Sequence, residues 1–429
     1  MPLIRPAPPS GWTLLKGLSM SVIEEPAVIE AERAAPSTAR QRVAALALRA
    51  RSGDLGALPV VLALIVIVSV FQAQNDRFLS PVNITNLCLQ VAAVGTIAVG
   101  IYFVMIVGEI DLSVGSVSGV GGGLLAVLLV KNGIPAPLVV VVVLTAGVAI
   151  GLFHGTVVTR FGVPAFVATL AGLIGWQGVQ LYLLGQSGTI NLPQNAVTGL
   201  SSTFLPVGVG VLLSAAVVVI FLAAQLPELR SHRTVMSAGR PTWSGVAVRT
   251  GGIAVAMAAA VWTFAQDRGV PLSFVLFVTL VVITDVIVRR TRYGRHLLAV
   301  GGNREAARRV GIKVRRVELS AFMICSLLAA IGGILAASRL QSVGQSSGGG
   351  DVLLNAIAAV VIGGTSLFGG HGRAWSALLG ILVIGSVSNG MDLLGLDSSV
   401  KFIITGGVLL IAVTVDALAR RGRARTGRP

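Results

Sequence analysis

Few residues of this chain are of types that can do chemistry, and they cluster. At Gly108 the sequence reads GEIDLSVGS, which sets Glu109 and Asp111 at the edge of an apolar run, with Ser113 and Gly115 following. A carboxylate beside hydrocarbon is costly and normally faces a partner or a wet cavity. Asp111 has a simple use, because its oxygens can accept the free amides in the first turn of a helix beginning near Leu112. Glu109 has no such use and needs either a hydrogen-bond donor or a water-filled path. Elsewhere polar side chains interrupt the apolar runs at Gln90, Trp176, Gln177, Gln180 and Asn389. Trp176 and Gln180 stand four apart and so share one helix face. Such groups either bond one helix to another or line a polar path. His154, His232, His296 and His371 show no ligand spacing and are read as hydrogen-bonded surface groups. Cys88 and Cys325 lie inside apolar runs without Cys-x-x-Cys or Cys/His spacing, so neither a disulfide framework nor a metal site is indicated. No catalytic constellation and no cofactor motif emerges.

The elements that must position these residues follow from composition. Of the 429 residues, 54% are hydrophobic and only 12% charged, about half the charged share of a soluble domain. Apolar surface in that excess needs lipid as its solvent. The apolar runs approach the ~20 residues that a helix needs to span the ~30 Å hydrocarbon core. A net charge of +16 is compatible with nucleic-acid binding, but the basic residues sit in blocks between apolar runs without interleaved aromatics. That pattern is the positive-inside rule and argues against a nucleic-acid partner. Twelve candidate crossings are read at 57–73, 86–107, 113–130, 137–158, 164–184, 205–225, 250–266, 271–288, 317–338, 353–370, 374–391 and 398–418. Several are short, and the Gly-rich breaks near 108–123 and 363–372 also suit re-entrant segments. The expected fold class is therefore an all-α polytopic membrane protein of about ten to twelve transmembrane helices with cytoplasmic N and C termini.

In that topology residues 1–56 form a cytoplasmic tail, 57–418 the membrane domain, and 419–429 a basic cytoplasmic tail. The first 52 residues mix Arg with Glu24, Glu25, Glu30 and Glu32 and lack the apolar core and cleavage site of a signal peptide. Of the 33 basic residues, only Arg77, Lys131, Arg268, Arg339 and Lys401 fall on the outer side, which supports an even number of crossings. Runs such as Gly119, Gly121, Gly122 and Gly123, or Gly332 and Gly333, lie within crossings and suit close helix packing in lipid.

The longest inner loop, 289–316, reads RRTRYGRHLLAVGGNREAARRVGIKVRR, with ten basic residues and the single acid Glu305. Asn303 can cap a short helix from Arg304 to Val310, with Gly311 as its stop. A basic loop alone would only fix topology against anionic headgroups, but the ordered string GGNREAARRVGI is more than charge retention requires. It resembles the coupling-loop signature of ABC sugar importer permeases, in which a short cytoplasmic helix seats on an ATPase subunit. The resemblance implies that Gly301, Gly302, Asn303, Glu305, Ala306, Ala307, Arg308, Gly311 and Ile312 form that contact. The chain itself has no Gly-x-x-x-x-Gly-Lys-Ser/Thr loop, so the resemblance implies a separate ATP-binding subunit.

The string at Gly108 likewise resembles the Gly-Gly-Ile-Asp-Leu-Ser-Val-Gly motif of ribose- and xylose-type permeases, and departs from it at Glu109, where that motif has Gly. A weaker echo, GGTSLFGG, places Gly363, Ser366, Leu367 and Gly370 at the spacing of Gly108, Asp111, Leu112 and Gly115. The loop 226–249 with the helices after it, and the run from Asp267 to Arg295, favour the xylose branch. The resemblance implies a homodimer in the bacterial inner membrane, fed by a periplasmic sugar-binding protein, with the polar residues within crossings lining a sugar path. The alternative is an ion-coupled secondary sugar transporter, which would bury paired charges mid-helix as ion sites.

Overall fold

The computed structural model describes residues 58–185, 188–230 and 243–408, together with positions 410 and 414. The tails 1–56 and 419–429 and residues 231–242 of the loop 226–249 lie outside the described residues. The helices are α1 (Leu58–Gln74), α2 (Pro81–Ile106), α3 (Val114–Ala126, prolonged by a π turn at Val127–Lys131), α4 (Ala136–Phe161) and α5 (Ala165–Leu184). There follow α6 (Val207–Arg230), α7 (Trp243–Ala265), α8 (Leu272–Arg290), α9 (Arg292–Gly302), α10 (Arg304–Arg309), α11 (Val314–Leu340), α12 (Gly350–Ile362) and α13 (Ala374–Leu393), then α14 (Ser398–Val408).

Each predicted crossing falls on a helix, and the chain is an all-α polytopic membrane protein. Among the described residues eight helices are long and apolar enough to cross a bilayer: α2, α3 with its π turn, α4, α5, α7, α8, α11 and α13. Shorter apolar stretches among the described residues are Leu58–Gln74, Val207–Ala223 within α6, Gly350–Ile362 and Ser398–Val408. The crossing expected at 353–370 needs correction. Its helix, α12, is 13 residues long and stops at Ile362, so at 1.5 Å per residue it reaches only about 20 Å. The bend before it touches the middle of the bundle: a Cβ added at Gly115 of α3 would lie 2.8 Å from the Gly348 carbonyl oxygen.

Two short antiparallel pairs are also present that no sequence pattern announced. β1 (Thr189–Asn191) pairs with β4 (Ser342–Gly344), Ile190 opposite Val343. β2 (Phe204–Leu205) pairs with β3 (Val270–Pro271). The first pair lies at the C-terminal end of α11, and the loop helices α9 and α10 lie at its N-terminal end.

The centre of the bundle is α2 and α11. Apolar all round, α2 is buried over most of its length, as such a helix must be. Its start is set by Pro81 at the first position and by Ser80, whose hydroxyl accepts the Asn83 amide at 3.3 Å. Along its length α11 packs against α4, α2 and α3. Small residues allow it: a Cβ at Gly333 would lie 2.1 Å from the Ser118 carbonyl oxygen of α3, and one at Gly151 of α4 would lie 2.4 Å from that of Phe322. With lipid as solvent no hydrophobic force favours a helix over an acyl chain, and close backbone approach supplies the missing attraction through dispersion. On the rim, α6 packs chiefly on α7, and α7 presents most of its surface outward.

Candidate functional site

The loop after α8 folds into two helices. Thr291 caps α9, accepting the Gly294 amide at 3.1 Å, and α9 buries Leu297 and Val300 against the core. Asn303 then ends α9 and caps α10, its Oδ1 accepting the Ala306 amide at 2.9 Å, as the sequence predicts. Gly311, with φ of +85°, turns the chain away after Val310. Ala307 is buried and Ile312 packs on the core, whereas Glu305, Ala306, Arg308, Arg309 and Val310 face outward. Val310 is 77% exposed, an apolar side chain held beside two arginines. Glu305 pairs with Arg308 at 3.2 Å and Arg309 at 3.6 Å within that outer face.

What fixes α10 to the bundle is Arg304. Its guanidinium donates to Glu109 Oε1, and its Nε lies 3.1 Å from Glu318 Oε1 at the start of α11. Burial would lower the Arg304 pKa, but the hydrogen bond and charge of Glu109, with Glu318 behind it, outweigh that and hold it above its usual value. The donor that Glu109 was expected to need is therefore a residue of the loop helix, 195 positions away. Beneath this pair the backbones meet. The Gly370 amide donates to the Ile106 carbonyl at 3.0 Å. A Cβ on Gly301 would come 1.8 Å from that same oxygen and 2.5 Å from the Gly370 nitrogen. The two strings that echo one another in sequence thus lie together, with α9 and α10 seated on them.

Two residues beyond Glu109 the elbow between α2 and α3 turns inward. Asp111 is 1% exposed, and its Oδ1 accepts the Ser113 amide at 2.9 Å and the Ser113 hydroxyl at 2.6 Å. The expected role for Asp111, capping the first turn of α3, is corrected: α3 begins at Val114, and Asp111 bonds to the residue before it. From Ser113 the network continues to His154 Nδ1 at 3.2 Å, and Trp176 Nε1 donates to His154 Nε2 at 3.1 Å. Because indole can only donate, His154 Nε2 accepts, and in the neutral ring Nδ1 then carries the hydrogen toward Ser113. The Cys325 thiol of α11 faces the same carboxylate, whose second oxygen has no hydrogen bond of normal geometry among the described residues.

A family model described as branched-chain amino acid transport system / permease component matches residues 83–413. The chain belongs to this family of permeases. It is 36% identical over 372 residues to the xylose transport system permease protein XylH of Escherichia coli K12, covering 86% of this chain and 94% of that protein. The corresponding protein of Haemophilus influenzae is 34% identical over 370 residues, 85% of this chain and 97% of its own length. The ribose import permease protein RbsC of Bacillus subtilis is 32% identical over 366 residues, 85% of this chain and 94% of that protein. No solved structure matches it. The likeness read from the strings at Gly108 and Asn303 is thereby borne out.

In the permease the remaining polar residues are distributed unevenly. Trp176 and Gln180 share one face of α5, as their spacing requires, and that face turns inward, while Gln177 is exposed. Gln180 Nε2 donates to the carbonyls of Gly344 at 3.1 Å and Ser347 at 2.8 Å, in the segment leading to α12. Asn389 of α13 forms a reciprocal amide pair with Asn83 of α2, at 2.8 and 3.0 Å. Gln90 is half-buried on α2. Sequence reasoning missed His154. It reads as a surface group because a single His near a helix end usually is one, yet here it is fully buried between Ser113 and Trp176. Its neighbours lie 41 and 22 positions away, and no local pattern announces them.

Proposed function

We propose that this chain is the membrane-spanning permease subunit of an ATP-binding-cassette importer, moving a monosaccharide, with xylose the first choice and ribose next, across the bacterial inner membrane. The observation that carries the reading is α10. A capped helix of six residues stands on the bundle with an outward face of Glu305, Ala306, Arg308 and Val310 that the described residues leave open. Such a face suits the groove of a cytoplasmic ATP-binding subunit, and the end of the bundle bearing α9 and α10 is then cytoplasmic. Domain 57–418 supplies the path, a second copy completes it, and a periplasmic binding protein delivers the sugar. Glu109, Asp111, Ser113, Gly115, Gln90, Trp176, Gln177, Gln180 and Asn389 are the residues we assign to the path or to the frame around it. The names and coverage of the relatives from Escherichia coli and Bacillus subtilis support this substrate class.

The deciding experiment reconstitutes the permease with its ATPase and binding protein in vesicles and follows labelled xylose, with ribose as competitor. Uptake that requires ATP and survives a protonophore is expected. Uptake by the chain alone, driven by an ion gradient, would instead make it an ion-coupled secondary transporter.

A further inference from the structure

Glu305 lies on the open face of α10, whereas Glu109 and Glu318 lie underneath it and Arg304, 46% exposed, reaches down to them. Three separate segments meet in this group: α10 through Arg304, the elbow 107–113 through Glu109, and the first turns of α11 through Glu318. The side chains of Glu109 and Glu318 are 16% and 9% exposed, against 59% for Glu305. An exposed pair such as Glu305 with Arg308 is screened and contributes little. Arg304 donates to the more buried Glu109 and lies 3.1 Å from Glu318, and a charged hydrogen bond from a guanidinium is directional because its donors are fixed relative to one another.

The elbow that carries Glu109 is itself tied further in. The Glu109 amide donates to the Val104 carbonyl at 3.1 Å, so the side chain is rooted in the last turn of α2. Two residues on, Asp111 begins the hydrogen-bonded series through Ser113 to His154 of α4 and Trp176 of α5. Thr169 of α5 also reaches the Ile110 carbonyl at 3.4 Å. A continuous set of polar contacts therefore runs from α10 through one elbow into α3, α4 and α5. Continuity alone does not demonstrate coupling, which requires that altering the link changes the linked function.

We propose that Glu109 is a positioning residue of the transport cycle: through its contact with Arg304 it makes the α2–α3 elbow follow α10, and so sets how much sugar moves for each ATP consumed. This rests on the importer reading above. Without the contact, α10 still docks, because its outer face is intact, and the ATPase still turns over. The displacement of α10 is then no longer handed to the elbow, and hydrolysis runs ahead of transport.

The test uses the full complex of permease, ATPase and binding protein in vesicles, with sugar uptake and phosphate release measured together. Glu109→Gln keeps size and hydrogen bonding but removes the charge. It should lower sugar moved per ATP about fivefold, the lower end of typical coupling factors, while complex yield and hydrolysis stay near wild type. Glu109→Asp should recover most of the ratio. Placed in an Arg304→Gln, Glu318→Gln background, Glu109→Gln should add no further loss, since its partner is gone. An unchanged ratio in Glu109→Gln overturns the inference, as does an equal added loss in both backgrounds, or a fall in uptake, hydrolysis and complex yield together. A wild-type complex without ATP-driven uptake overturns the importer reading itself.

Discussion

Arg304 and Glu109 are 195 positions apart, yet their side chains form a charged hydrogen bond that joins the loop helix α10 to the elbow between α2 and α3. One partner belongs to the string GGNREAARRVGI and the other to GEIDLSVGS, so the two most distinctive stretches of the chain are in contact through their charges. The backbones beneath them meet through Gly301, Gly370 and the Ile106 carbonyl.

Helix α10 is too short to persist on propensity alone. Replacing its cap, Asn303→Ala, removes the acceptor for the Ala306 amide and should cost about 1 kcal/mol of local stability. Amide exchange across 304–309 should quicken roughly fivefold. ATP-driven uptake should fall, while the amount of permease in the membrane stays unchanged.

On the outer face of the same helix, Glu305→Arg sets a third cation beside Arg308 and Arg309. It should uncouple ATP hydrolysis from uptake while leaving the subunit inserted. Wild-type uptake in this variant would remove α10 from the docking role.

Gly301 and its neighbour make a sharper pair. Gly301→Ala drives a methyl into the Ile106 carbonyl, whereas a Cβ at Gly302 would have nothing within 4 Å. Forcing apart packed backbone costs about 1–3 kcal/mol or more. The expectation is a lower melting temperature in detergent and loss of uptake for Gly301→Ala, with Gly302→Ala close to wild type in stability.

The buried series from Asp111 to Trp176 should behave as a unit. Ser113→Ala removes the hydroxyl donor to Asp111 and the acceptor for His154 together. Leaving such groups unsatisfied costs about 1–3 kcal/mol. His154→Phe leaves Trp176 Nε1 without its acceptor, while the Ser113 hydroxyl keeps Asp111. Thermal unfolding of the two single variants and the double should show less than additive loss.

How much of this was legible in the sequence depends on the reach of each interaction. The helices are set by runs of apolar residues, and the cap at Asn303 by neighbours within one turn, so both are local and both are readable. That Trp176 and Gln180 share one face follows from their spacing of four, but that the face turns inward does not. The partner of Glu109 is not local, and the sequence states only that one is needed. His154 carries no mark that distinguishes a buried hub from a surface group. The stop of α12 at Ile362 coincides with the Gly-rich break at 363–372, which the sequence shows and which also suits a re-entrant segment. There the chain turns through Gly363 and Gly364 toward the contact with Ile106.

The Asn83–Asn389 pair offers a different test, between the central helix and α13. Asn389→Leu should destabilise by about 0.6–2 kcal/mol, the range for interhelical hydrogen bonds in lipid. It also leaves the Asn83 side-chain amide with the Phe78 carbonyl, at 2.8 Å, as its remaining partner among the described residues. Replacing both asparagines by Leu should be milder than the sum of the single changes, which a double-mutant cycle by thermal unfolding would measure.

The bend before α12 is exposed at Gln345 and Ser346 and partly covered at Gly344 and Ser347, whose carbonyls both accept from the Gln180 amide. A single nitrogen of α5 thus fixes two points of the approach to α12, so a change of partner at Gln180 frees both carbonyls together and not one after the other.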